Sequence, residues 1–243
     1  MSFAQDIDKN LLWVTDNWPD ITDSDTALYP QLFNEIFTAQ GFKINKKYVP
    51  FKRSIAFVNQ HEADFAGGIT KEQTKSSDHI QAPFPVLTTP VLAFYKKTTI
   101  PTKLLGIESL NRYRVVSSPQ LGRSIGLKDV YEVTNKYQAF LMVIKGRSDV
   151  YIDNEGELYG TVRNTAYQAL DYNKELFETS VVGYSSWYMI SPKTSRGEAV
   201  MKAYIKGSIN LFKSGRIAEI YKSRGFIVPP ELASYIEYNS VAK

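Results

Sequence analysis

The sequence predicts an α/β fold built on mostly parallel sheets, and three observations predict it. From Leu11 to Gly68, short apolar runs of strand length alternate with stretches whose apolar residues recur at helical spacing. The 243 residues are 43% hydrophobic and 22% charged, enough for a sizeable core in one large domain or two small lobes. Two strand-like runs, Val91–Tyr95 and Tyr184–Ile190, stand far apart in positions suited to paired connections, so the middle third reads as an insertion into the first lobe.

Leu11–Thr15 is a buried strand ending at Asp16-Asn17 and Pro19. Leu28, Leu32, Phe33, Ile36 and Phe37 fall on one helical face, and Gly41 stops that helix. Phe42–Val49 alternates as a strand. Pro50 opens the next helix, where its missing N–H is harmless, and Phe51, Ile55 and Val58 share a face. Ala63–Ala66 is a short strand running into Gly67-Gly68. Strand, helix, strand, helix, strand in this order favours right-handed crossovers in a parallel sheet. Gln81–Pro90 holds three prolines and precedes the strand Val91–Tyr95. Leu110 closes a helical turn before the strand Tyr113–Ser117. Gln138–Lys145 reads as a helix, Val150–Ile152 as a strand, Asn154–Leu170 as a helix weakened by Gly156 and Gly160, and Val181–Ile190 as a long aromatic strand. Ala199–Phe212 and Arg216–Arg224 are closing helices, with Gly225 as the residue after the last. After Pro229-Pro230, Glu231–Tyr238 is a short helix.

Composition removes several classes. With no cysteine there is neither a disulfide framework nor thiol or zinc–thiolate chemistry; this also suits an oxidising compartment. The net charge of +4 is spread out, the densest basic pairs being Lys46-Lys47 and Lys96-Lys97, so no nucleic-acid stripe is expected. The longest apolar run, Tyr137–Ile144, is far too short to span a bilayer, which takes about 20 residues. Ser2-Phe3-Ala4 has the small-residue spacing of a secretory cleavage site, so export to the periplasm with the signal peptide removed is the expectation. His61 and His79 sit in no metal spacing and read as surface histidines. No metal, no cofactor and no catalytic residue is expected.

Several stretches, taken in order, resemble the polar-amino-acid type of periplasmic solute-binding protein (extracellular solute-binding protein family 3). They are Trp18-Pro19 after the first strand, Pro50-Phe51-Lys52-Arg53 at a helix start, and His61-Glu62-Ala63-Asp64-Phe65-Ala66-Gly67 opening the third strand. Lys145-Gly146-Arg147-Ser148-Asp149-Val150 is similar to the matching opening in the second lobe, and Ser214–Tyr221 to the late helix pair. The resemblance runs from Leu11 to about Gly225. It implies a two-lobed type II periplasmic-binding-protein fold, with lobe 1 at 1–92 and 189–243, lobe 2 at 93–188, and hinge strands near 91–97 and 184–190. It implies a monomeric solute-binding component of an ABC-type importer that clamps a small polar molecule between the lobes, docks on an inner-membrane permease and does no chemistry. A sensor module of the same fold and a cyclohexadienyl-dehydratase-like enzyme are the alternatives.

The resemblance also implies a site. Thr70 corresponds to a backbone and hydroxyl contact in lobe 1, and Asp16, Gly68 and Ile69 neighbour it. Gln73 stands at about the place where amino-acid-binding members carry an arginine that forks onto the ligand's α-carboxylate, so a standard α-amino acid is not expected. Lys71 or Arg53 would be a substitute cation, Arg53 reading equally well as solvated. In lobe 2, Ser117, Ser118, Gln120, Leu121 and Gly122 correspond to a loop that holds an anionic group, with a helix beginning near Leu121–Arg123. Asp153 corresponds to the acidic residue against the ligand's ammonium group, with Asn154 as the off-by-one alternative and a helix N-cap as the structural one. Trp18, Tyr184 and Trp187 are candidate aromatic walls, whereas Trp13 reads as core.

Overall fold

The computed structural model describes residues 8–71, 78–119, 121–166 and 173–241. The chain divides into two compact units, 1–88 with 186–243 and 89–185.

The first unit opens with β1 (Asn10–Thr15), α1 (Leu28–Thr38), β2 (Lys43–Tyr48), α2 (Phe51–Asn59) and β3 (Phe65–Ile69). β1 pairs in parallel with both β2 and β3, as the alternating order requires. β4 (His79–Gln81) follows, and then β5 (Leu87–Lys96), which leaves the first unit at Thr88. The second unit continues with β6 (Val115–Ser117), α3 (Leu121–Ser124), β7 (Tyr131–Glu132), α4 (Lys136–Ile144), β8 (Val150–Asn154) and α5 (Glu155–Ala166). The long β9 (Phe177–Pro192) carries the chain back. In the first unit, β9 runs antiparallel to β3 and β4. The closing helices are α6 (Ser195–Lys213), α7 (Arg216–Ser223) and α8 (Pro230–Val241). Where the two passes meet in the first unit, the Thr88 and Ser186 hydroxyls lie 3.2 Å apart.

Alternation along the strands builds a core on each face of each sheet. In β1, Trp13 faces α1 and the closing helices, joining Phe33, Phe37, Phe65, Tyr204 and Tyr221. Val14 faces the other way, with Val58, Ala66, Ile69 and Ile190. In the second unit, Val91, Ala93 and Tyr95 of β5 pack with Val150 and Ile152, while Leu92 and Phe94 pack with Tyr151 and Phe140. Its sheet sets β8 antiparallel to β5 and parallel to β6, with β7 parallel on the far edge of β6. Each fully buried aromatic or aliphatic side chain is worth about 1.5–3 kcal/mol. The half-exposed fork of Arg216 on Glu35 joins α7 to α1 at 2.7 and 2.8 Å, but solvent screens it and it adds little. The core, rather than ion pairs, holds the closing helices down.

Several elements depart from the sequence expectation. β5 begins at Leu87 and includes Pro90, ahead of the expected start at Val91. β8 runs on to Asn154, so α5 starts one residue later than expected. α6 starts at Ser195 because Thr194 accepts the Gly197 N–H at 3.1 Å and caps it. β4 and β7 have no counterpart in the expected elements. His79 is buried rather than on the surface.

Candidate functional site

In open α/β sheets ligands bind beyond the carboxyl ends of the parallel strands. In the first unit those ends belong to β1 and β3, which the register places side by side, with Val14 opposite Ala66. The chain leaves β1 through Asp16, Asn17 and Trp18. Thr22 fixes this loop: its hydroxyl donates to Asp16 O at 2.6 Å and accepts the Trp18 N–H at 2.8 Å. Tyr48 adds a bond from its hydroxyl to Thr22 O at 2.5 Å. Trp18 therefore has a set position, against Phe51 and Trp187 at centroid distances of 5.7 and 6.2 Å. Its indole also lies on Gly68, where a Cβ would come within 2.1 Å of the ring. Gly68 has φ +80°, a conformation that glycine adopts freely, and it sits in the irregularity between β3 and β9.

Beyond β3, Thr70 is buried, and Lys71 is exposed with its ammonium 5.4 Å from the Tyr188 ring. Two first-unit expectations need correction. Asp16 turns to the start of α2, where its Oδ2 accepts the Phe51 N–H at 3.1 Å, so it caps a helix whose N-cap is a proline. Ile69 is fully buried in the core and offers only backbone to a ligand. Arg53 is exposed on α2. Gln73 lies outside the described residues.

In the second unit the matching ends belong to β6 and β8. Register sets Ser117 opposite Ile152, so Ser118 and Asp153 stand level just beyond. Asp153 is only 1% exposed. Its Oδ2 accepts the Tyr151 hydroxyl at 2.7 Å, its Oδ1 accepts the Asn154 N–H at 2.9 Å, and the Ser118 hydroxyl reaches Oδ1 at 3.4 Å. Tyr151, two residues earlier on the same strand face, is the partner that the sequence reading missed; the period of two was the available signal. Burial raises the Asp153 pKa above the ordinary carboxylate value; the Tyr151 bond, Lys136 and the Asn154 N–H oppose this, and Glu157 adds to it. Burial also drives the Tyr151 hydroxyl far above its usual value, so it stays a donor. Lys136 is ion-paired with Glu157, and no Lys or Arg forms an ion pair with Asp153 among the described residues. The N-cap alternative for Asp153 fails, since it holds the N–H of its immediate neighbour rather than one inside α5. Asn154 turns its side-chain oxygen to the Thr89 hydroxyl at 3.3 Å.

The anion-holding loop is weaker than expected. α3 does begin at Leu121, but it is a single turn, and the Leu121 N–H already donates to Ser118 O at 3.3 Å. Leu121 is buried in the core, and a Cβ on Gly122 would strike Val130 at 2.6 Å, so both serve packing. Ser117 is buried, with its hydroxyl donating to Ser118 O at 2.9 Å. Gln120 lies outside the described residues. Tyr184, on the second-unit part of β9, is 57% exposed, whereas Trp187 on the first-unit part meets Trp18. Among the described residues no group of three acidic or histidine side chains is placed to hold a metal ion, and no helix is long and apolar enough to cross a membrane.

No model of a known protein family matches the chain, and no curated protein does. Solved structures do match across most of its length. A histidine kinase sensor domain described as similar to periplasmic binding proteins aligns over 93% of this chain and 100% of its own, at 12% identity and TM-score 0.64. The GluR0 ligand-binding core from Nostoc punctiforme, solved with L-glutamate, aligns over 88% and 98%, at 16% identity and TM-score 0.57. The substrate-binding protein of an ABC uptake transporter from Streptococcus pneumoniae, solved with bound histidine, aligns over 88% and 92%, at 12% identity and TM-score 0.56. The chain therefore has the fold of the type II periplasmic binding proteins. The resemblance read from the sequence is borne out as this mixed α/β fold.

Proposed function

We propose that the chain is the solute-binding component of an ABC-type importer and holds a small polar solute bearing an amine or another cationic group. The observation that supports this reading is Asp153. A carboxylate this deeply buried at a strand's carboxyl end, with hydrogen-bond donors around it but no cation paired to it, is a seat for a cation delivered by a ligand. Trp18 and Trp187 supply apolar faces, Thr70 a polar contact and Lys71 a positive charge. Gln73, where an arginine would fork onto an α-carboxylate, favours a solute other than a standard α-amino acid. The protein acts in the periplasm as a monomer, delivers to a membrane permease and catalyses nothing.

A thermal-shift screen over amines, amino acids, small carboxylates and oligopeptides tests the proposal. A ligand at about 100 times its Kd adds about 2.7 kcal/mol to native-state stability. Stabilisation by amine-bearing solutes is the expected result. Stabilisation by standard α-amino acids alone would overturn the argument from Gln73, and turnover of prephenate or arogenate would overturn the non-enzymatic reading.

A sensor role is the second reading, favoured by the full-length alignment with the histidine kinase sensor domain. Gene neighbours separate the two: permease and ATPase genes support import, and a kinase or cyclase gene supports sensing.

A further inference from the structure

The second unit has a groove of about 730 Å³ at the opposite end of its sheet from Asp153. Its walls come from the amino-terminal ends of β6 and β8, the short β7 and the last turns of α4. This volume lies within the range of small-molecule pockets, about 300–1,000 Å³. One side is apolar: Val130, Tyr131, Leu141 and Met142 line it, and Tyr131 is 60% exposed.

The other side is cationic. After α4 the chain turns at Gly146, whose φ of +67° a side-chain-bearing residue rarely adopts. The Arg147 and Ser148 N–H groups then both donate to Met142 O, at 2.7 and 3.1 Å. This turn holds Lys145, Arg147 and Ser148 at the groove wall. Arg114, also in the wall, is committed to Asp149 and Gly146 O. The Lys145 ammonium and the Arg147 guanidinium are exposed and have no hydrogen-bond or ion-pair partner among the described residues, and Asp129 is the one acid in the lining. Ser148 is 4% exposed, and its hydroxyl likewise has no partner there. A solvent-reachable hydroxyl beside two exposed cations is a donor set for an anion.

We propose that this groove is a second binding site, for a small organic anion with an aromatic or aliphatic body. The anionic group sits on Arg147, Lys145 and the Ser148 hydroxyl, and the apolar body lies along Tyr131 and Met142. The site is independent of the one at Asp153, from which it is separated by the length of β8.

The probe is 8-anilinonaphthalene-1-sulfonate, titrated against the native chain by fluorescence, with amide chemical shifts followed by NMR. The expected result is saturable binding of one probe per chain, with shifts concentrated at Gly146 to Ser148. Arg147→Glu and Lys145→Glu should each weaken binding about tenfold or more, while Lys213→Glu, an exposed charge reversal in the other unit, should leave it unchanged. N-phenyl-1-naphthylamine, which keeps the apolar body without the sulfonate, should bind about tenfold more weakly. Ser148→Ala, a smaller change that tests the hydroxyl if a charge reversal unfolds the chain, should weaken binding several-fold. The proposal is overturned by the absence of saturation up to roughly 1 mM probe, by equal losses in Arg147→Glu and Lys213→Glu, or by shifts centred on Asp153 and Asn154.

Discussion

Replacing Asp153 with asparagine separates ligand recognition from fold at one atom. The side-chain volume is nearly unchanged. Three donors converge on the native carboxylate, two on Oδ1 and one on Oδ2. An asparagine oxygen can satisfy one side only, so either the Tyr151 hydroxyl or the Asn154 N–H then faces an NH2 group. Leaving such a buried donor unmatched costs about 1–3 kcal/mol, and removal of the buried charge's desolvation offsets it. Apo stability should therefore change little. Binding should not be spared: losing the buried partner of a ligand cation costs about 2–5 kcal/mol, a Kd roughly 30-fold to more than 1,000-fold weaker. Isothermal titration of the solute found by the thermal-shift screen measures this. pH adds a second readout. Folding raises the Asp153 pKa, so this group's contribution to stability is fully present below its unfolded value and is lost as pH rises through the folded one. Affinity for a cationic solute runs the other way and should climb over that same rise, as the carboxylate ionises. An Asp153→Asn protein that binds the solute as tightly as its parent, with the same pH profile, would refute the reasoning.

Three further outcomes follow from the packing. Gly68→Ala places a methyl into the Trp18 indole at a positive φ, and should cost about 2–5 kcal/mol in urea unfolding and shift the tryptophan emission; an unchanged midpoint would mean that Trp18 does not rest there. Arg196→Lys should cost about 1–3 kcal/mol, because a lysine cannot keep both the fork on Asp64 and the bonds to Asp8 O and Asn10 O at 3.0 and 2.8 Å; a loss below about 0.5 kcal/mol would count against it. Burial holds the His79 pKa below the ordinary 6.5, with Asp78 opposing, and the ring's Nδ1 lies 2.8 Å from Asn59 Oδ1 while its Nε2 has no partner. Stability from this group is full above that ordinary value and is lost as pH falls through the lowered one, so unfolding free energy should drop between pH values of about 7.5 and 5 more steeply than in His79→Gln.

What the sequence made legible follows the strength of each local signal. The run from β1 to β3 was readable because Trp13 and Val14 commit to opposite faces, and Leu32, Phe33, Ile36 and Phe37 to one helix stripe. β4 and β7 were not, since three and two residues carry no periodicity and exist through their neighbours on β9 and β6. Pro90 concealed the start of β5, because proline argues against a strand unless the ladder spares its missing N–H. At the site, Asp153 was reached only through the resemblance to solute-binding proteins, since a lone acid at the end of a short strand carries no signal of its own. Asp16 was misassigned because its partner, the Phe51 N–H, is 35 positions away and no sequence rule points to it. The contact of Trp18 with Gly68 was hidden for the same reason, although an unforced glycine pair at a strand end was a visible hint.

The charge distribution within each unit indicates which part of the solute is read most strictly. The first unit offers indole faces, a buried threonine and an exposed lysine, groups that tolerate changes in ligand shape because none is an unpaired buried charge. The second unit offers a buried carboxylate whose donors are all hydrogen-bond donors and none a paired cation. A solute lacking a positive group leaves that carboxylate uncompensated, and it then protonates or resists burial. Rejection of neutral analogues should therefore come mainly from Asp153, with variation in the rest of the molecule tolerated better. A panel that varies the amine and the remainder of the solute separately distinguishes these cases: methylating the amine to a bulky quaternary centre or replacing it with a hydroxyl should abolish binding, whereas lengthening the far end should change Kd by less than about tenfold.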